Sequence, residues 1–172
     1  MQFLARLADY IDAFSEWTGR VVSWLTLGMV LVTFLIVVLR YAFNLGWIAM
    51  QESVLYMHAT VFMLGAAYTL RHDQHVRVDI FYRRLGPRGR ALVDLAGTLL
   101  LLVPVCGYIL FSSRDYVREA WAIHEASPEA GGLPWVYVLK TLIPLLAVLL
   151  LVQGVSQALR ALLRLLDREP AA

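Results

Sequence analysis

Four stretches of this chain carry no Asp, Glu, Lys or Arg, and each is long enough to cross a bilayer. Arg20 to Arg40 encloses 19 such residues, Glu52 to Arg71 encloses 18, and Asp94 to Arg114 and Lys140 to Arg160 enclose 19 each. As helices they are roughly 27–28 Å long, close to the ~30 Å hydrocarbon core of a membrane. With 60% apolar and only 16% charged residues, the chain has too little polar surface to cover a water-soluble globule. Soluble, nucleic-acid-binding and disordered classes are thereby excluded. The expected fold is all-α: a single integral membrane domain over residues 1–172, with four transmembrane helices in a bundle at about 21–39, 53–70, 95–113 and 141–159.

Orientation follows from where Lys and Arg sit on the short flanking segments. The N-terminal segment, the segment between the second and third spans and the C-terminal tail share one side. They carry eleven arginines: Arg6, Arg20, Arg71, Arg77, Arg83, Arg84, Arg88, Arg90, Arg160, Arg164 and Arg168. The opposite side carries four basic residues, Arg40, Arg114, Arg118 and Lys140. Both termini are therefore expected in the cytoplasm. Asp9, Asp12 and Glu16, and the length of the apolar run after them, argue against a cleaved secretory signal.

Two amphipathic interfacial helices are expected besides the spans. Phe3, Leu4, Leu7, Ile11, Phe14 and Trp17 recur at helical spacing with Arg6, Asp9, Asp12 and Glu16 between them, a helix lying at the interface or against a partner helix. Val78, Phe81, Tyr82 and Leu85 form an apolar face opposite Asp79, Arg83 and Arg84, ending at Gly86-Pro87. With Arg88 and Arg90 following, its polar face should rest on the anionic leaflet. The outer loop 41–51 brings Tyr41, Phe43 and Trp47 to headgroup level. Arg40 and Glu52 bracket that loop, either as a pair across the hairpin or as two solvated helix-end charges. The outer segment 114–140 is longer, is broken at Ser127-Pro128 and Gly131-Gly132-Leu133-Pro134, and carries Asp115, Glu119, Glu125 and Glu129. Pro104 should kink the third span, and Pro144 falls near the first turn of the fourth. Gly65-x-x-x-Thr69 and Gly154-x-x-x-Ala158 have spacings that permit close helix contact.

Chemistry at membrane depth is sparse. A coupled transporter acting alone needs ionisable groups within its spans, and this chain offers there only His58, Cys106 and a few tyrosines. One cysteine gives neither a disulfide nor a redox pair. One histidine at depth does not make a bis-histidine haem site, and His58 reads as a packing residue bonded to a neighbouring helix. His72-x-x-His75 with Asp73 and Asp79 reads as a solvated turn rather than a metal site. No cofactor and no catalytic residue is expected, which leaves an accessory or scaffolding subunit.

Several segments resemble one family, the small membrane subunit of tripartite ATP-independent periplasmic (TRAP) transporters, or DctQ-like small permease. They are Arg40-Tyr41-Ala42-Phe43-Asn44 with Trp47 and Glu52, Leu64-Gly65-Ala66-Ala67-Tyr68, His75-Val76-Arg77-Val78-Asp79, and Leu133-Pro134-Trp135 with Lys140 and Pro144. The resemblance implies an inner-membrane complex in which a periplasmic binding protein captures an organic acid or related solute. A large membrane subunit of about twelve spans would carry solute and sodium, and this chain would scaffold it within the lipid bilayer. It implies structural or interface roles for Arg40, Asn44, Trp47, Glu52, Gly65, His75 and Asp79. Asp115, Glu119, Glu125 and Glu129 are the expected contact for the periplasmic receptor. The competing readings are a membrane anchor for a haem or quinone enzyme, resting on His58 and the four-helix layout, and a self-sufficient homodimeric transporter.

Overall fold

The structure is a computed structural model that describes residues 2–76 and 79–166, the side chains of Asp79 and Phe81 excepted. Arg77, Val78 and Arg168 therefore lie outside the described residues. Helix α1 spans Gln2–Ala42, α2 Ile48–Arg71, α3 Asp79–Tyr82, α4 Pro87–Gly97, α5 Val103–Ala122 and α6 Val136–Leu166, with a π-helical turn at Thr98–Leu102 joining α4 to α5. The fold is all-α, with no strand among the described residues. Four of its helical rods (2–42, 48–71, 87–122 and 136–166) are long and apolar enough to cross a membrane, and each contains one uncharged run.

The helix ends follow from local chemistry. α1 stops where Asn44 enters the left-handed region at φ 56°. α2 ends with Asp73 at φ 55°, its N–H on the Leu70 carbonyl and the Gln74 N–H on that of Thr69. α5 ends the same way at His124, φ 46°, with Glu125 bonded to Ala120. These are Schellman-type terminations on residues that tolerate positive φ at modest cost. Gly86-Pro87 both closes the preceding turn and opens α4, with proline at the first position where no N–H is missed.

Proline also shapes the third rod. Pro104 has no N–H to offer Leu100, and the helix widens one turn earlier, where the Val103 N–H reaches back five residues to Thr98. α6 begins at Val136, so Pro144 lies inside it, in the third turn rather than the first.

Two sequence expectations need correction. The N-terminal amphipathic stretch is not a separate interfacial helix, because it runs without a break into the first span as one rod of 41 residues, about 60 Å long. No proline or paired glycines lie between them to end it. The loop helix is one turn of four residues, too short to lie on a membrane as a surface helix. Its Tyr82 hydroxyl bonds the Asp94 carboxylate at 2.9 Å. Arg90 is exposed and donates to the carbonyls of Leu85 at 3.0 Å and Arg83 at 3.1 Å.

Packing runs opposite to that of a soluble bundle. The buried positions are mostly small: Ala8, Gly19, Ala67, Ala91, Ala120, Ala147, Gly154 and Ala161. Trp24, Phe34, Phe62, Leu100 and Phe111 point outward. Exposing such side chains to water costs about 1.5–3 kcal/mol each, whereas lipid accepts them and leaves backbone closeness to drive helix association. α6 is the hub: it packs on α1, on α2 and on the α4–α5 rod, while α1 and α2 pack on each other and α5 rests on α6.

Glycines mark the tightest crossings. A Cβ on Gly19 would fall within 2.7 Å of Tyr68 Cβ, and one on Gly154 within 2.8 Å of Leu102 Cδ2, on the π turn. A Cβ on Gly65 would meet nothing within 4 Å. Gly19→Val should therefore part α1 from α2 and lower stability by about 1–3 kcal/mol. Gly65→Ala should leave stability unchanged, and thermal unfolding in detergent of the two variants measures the contrast.

Candidate functional site

Polar side chains gather into two clusters, one at each end of the bundle. At the end bearing the termini, the buried stripe of α1 is Ala8, Asp12, Ser15, Gly19 and Val22, spaced in near-heptads. Phe3, Leu7, Phe14 and Trp17 face outward. The amphipathic N-terminal half is thus turned with part of its polar side inward, against α6. Ser15 donates to Gln153 Oε1 at 2.6 Å; Gln153 and Ser156 donate to Asp12 Oδ1 at 2.9 and 2.6 Å. Arg160 Nε reaches Asp12 Oδ2 at 2.8 Å, and its Nη2 reaches Asp9 at 2.9 Å. Burial pushes the Asp12 carboxyl up, but the hydrogen bonds from Ser156, Gln153 and Arg160, with the Arg160 charge, outweigh it and hold the group below the usual carboxylate range.

One turn further along α1, Glu16 ties that helix to the end of α2. It pairs with Arg71, accepts from His72 Nε2 at 2.9 Å, and takes Arg20 Nε at 2.8 Å. The His72 hydrogen bond is the main reason its carboxyl lies below the usual range, with Arg20 and Arg71 adding to it. Because Ser15 meets Gln153 while Glu16 meets Arg71, Gln153 and Arg71 stand at the same height along the bundle. The last two turns of the fourth uncharged run, up to Leu159, thus extend roughly 10 Å beyond Arg71, beside the acidic residues of α1.

At the loop end, Glu52 organises the long outer segment. Its Oε1 accepts the Ser127 hydroxyl and its Oε2 the Leu133 N–H at 2.6 Å. Gly132 passes so close that a Cβ would lie 2.8 Å from Glu52 Oε1. The bracket of Arg40 and Glu52 is thereby resolved: Arg40 is exposed and makes no ion pair among the described residues, and Glu52 holds the Gly-Gly-Leu-Pro segment instead. Lys140 pairs with Glu125 and lies 3.9 Å above the Tyr116 ring. Trp121 donates to Thr141 at 2.8 Å and packs edge-on against Tyr137.

The other sequence-selected residues take distinct places. Asn44 is the left-handed stop of α1, and Trp47 caps α2 from an extended backbone. Gly65 lines an open groove between α1 and α2. His75 Nε2 lies 3.2 Å from the Ala66 carbonyl, so it and His72 serve different partners. Asp79 opens α3, its side chain outside the described ones. Asp115, Glu119 and Glu129 are exposed, whereas Glu125 is engaged with Lys140. His58, expected to bond a neighbouring helix, is exposed and bonds nothing among the described residues. Missed altogether was the Asp12–Gln153–Ser156–Arg160 network. Its only sequence signal was the 8-12-15-19-22 stripe of mostly small and polar residues.

These contacts make two measurable demands. Asp12→Ala strips three donors of a shared acceptor and should cost about 1–3 kcal/mol, read as a lower unfolding midpoint in detergent. Glu52→Ala should speed limited proteolysis between residues 123 and 135, while Arg40→Ala should not.

The arrangement holds helices together, and among the described residues no group of three or more His, Cys, Asp or Glu is placed to hold a metal ion. Residues 29–164 match the family described as tripartite ATP-independent periplasmic transporters, DctQ component. A relative from Haemophilus influenzae named "Putative TRAP transporter small permease protein" is 35% identical over 106 residues. That match covers 62% of this chain and spans 63% of the relative's length. No solved structure matches. Four apolar rods, polar chemistry drawn to their two ends and a family match over most of the chain lead to one conclusion: this chain belongs to the DctQ family of TRAP transporter small permease subunits, multi-pass inner-membrane proteins that are transporter components and not enzymes.

Proposed function

We propose that the chain is a static scaffold for the large membrane subunit of its transporter, which carries solute and sodium on behalf of a periplasmic binding protein. One observation carries this reading. The four runs hold no Asp, Glu, Lys or Arg, and ion pairs at the two ends join α1 to α6, α1 to α2 and the outer segment to α6. A pathway for an anion or a cation across the bilayer needs charged or closely spaced polar groups at depth. This chain applies its own to rigidity. Organic acids are the solute class the reading favours, and the excess of arginine at the terminal end supports an orientation with both termini in the cytoplasm.

Liposomes containing this chain alone should take up neither organic acids nor sodium, whereas liposomes with the chain and the large subunit should do so in the presence of the binding protein. Uptake by the chain alone would overturn the reading.

The exposed acids of the outer segment remain the favoured contact for the periplasmic receptor. Charge reversal at Asp115, Glu119 and Glu129 should lower uptake severalfold without lowering assembly of the membrane complex. Reversal of Glu125 should also disturb the loop, because Lys140 loses its partner.

A further inference from the structure

Between Ile48 and Leu70, α2 exposes four residues: Gln51, Leu55, His58 and Phe62. Their spacing of four, three and four places them in one stripe along the helix. Two of the four are polar, on a rod whose other residues are half-buried or buried. Three exposed hydroxyls on the spans are satisfied within their own helix, whereas Thr33, Trp24 and Tyr108 are exposed with no side-chain hydrogen bond among the described residues. Ser23 donates to the Arg20 carbonyl at 2.7 Å, Thr26 to that of Ser23 at 2.6 Å, and Ser112 to that of Ile109 at 3.3 Å. His58 has no such bond. It lies six residues inside Glu52, roughly 9 Å along the helix, too deep for an imidazole to reach the headgroups. An unbonded imidazole facing hydrocarbon is unfavourable, and such groups in membrane proteins face other protein. Phe62 also lines the groove of about 440 Å³ between α1 and α2, whose floor includes Gly65, Ala66 and Thr69. Stripe and groove therefore form one continuous surface, polar at one end and small-residued at the other, which is what a helix from another membrane protein requires for close packing.

We propose that this surface, Gln51–Leu55–His58–Phe62 with the groove beside Gly65, is where the large membrane subunit packs, and that His58 hydrogen-bonds a polar group of that subunit inside the bilayer. The proposal rests on the scaffold reading above. A tripartite transporter supplies a permanent membrane partner to cover the face, and the outward residues of the α4–α5 rod are mostly apolar, with Leu99, Leu100, Leu101, Val105 and Phe111 beside Tyr108 and Ser112.

The test uses the full complex purified through a tag on this chain. His58→Leu should reduce the recovered large subunit about three- to tenfold, and His58→Gln, which keeps a hydrogen-bonding group, by less. Gly65→Leu, at a glycine where an added Cβ would meet nothing within 4 Å, should reduce recovery as well. Membrane levels of all three should match the wild type, since none removes a contact within the chain. A photo-crosslinking residue at Leu55 or Phe62 should yield an adduct with the large subunit, and one at Phe111 should not. Undiminished recovery with His58→Leu and Gly65→Leu, or adducts from Leu55 and Phe62 only with lipid or a second copy, would overturn the surface while leaving the scaffold reading standing. A wild-type chain that retains no large subunit would overturn both.

Discussion

Within hydrocarbon a polar group has no water to turn to, and that single constraint orders this molecule. Charged pairs sit at the two ends of the rods, Asp12 with Arg160 and Glu16 with Arg71 at one, Glu125 with Lys140 at the other. Between them, helices meet through alanine, serine and glycine, and the exposed hydroxyls of Ser23 and Thr26 fold back onto carbonyls of their own helix. Large apolar side chains contribute little to the interior because burying them away from lipid brings no hydrophobic gain.

α6 is where these ties converge. Its terminal half is bonded to α1 through Gln153, Ser156 and Arg160, its middle accommodates the π turn through Gly154, and its first turns anchor the outer segment through Lys140 and Thr141. A helix held at both ends and at its middle moves little relative to its neighbours. Rigidity of that kind suits a component that stays fixed while another part of a transporter does the moving.

Much of this was legible from residue order alone. Runs without charge mark the four rods, Gly86-Pro87 marks a break in the helical pattern, and Asn44 is a residue type suited to the turn it occupies. Less legible was which side of the N-terminal helix faces inward. In water the apolar stripe from Phe3 to Trp17 would turn to the core, but beside a membrane it can face outward and leave Asp12 and Ser15 to the interior. Periodicity reports that two faces differ, not which solvent each one meets. Glu52 stood out as a bracketing charge, yet its partners, Ser127 and the Leu133 amide, stand 75 and 81 positions away.

By itself the order of residues determined the class of protein, the number of rods and the absence of charge along their apolar stretches, since these depend on length and local composition. Only the tertiary structure decided that the first rod is continuous, that the last turns of the fourth run stand beyond Arg71, and that His58 faces outward without a partner. Each of those depends on the rotation and height of one helix against another. Rotation and height are set by contacts between residues as much as 148 positions apart, such as Arg160 with Asp12, and no local pattern encodes a contact of that span.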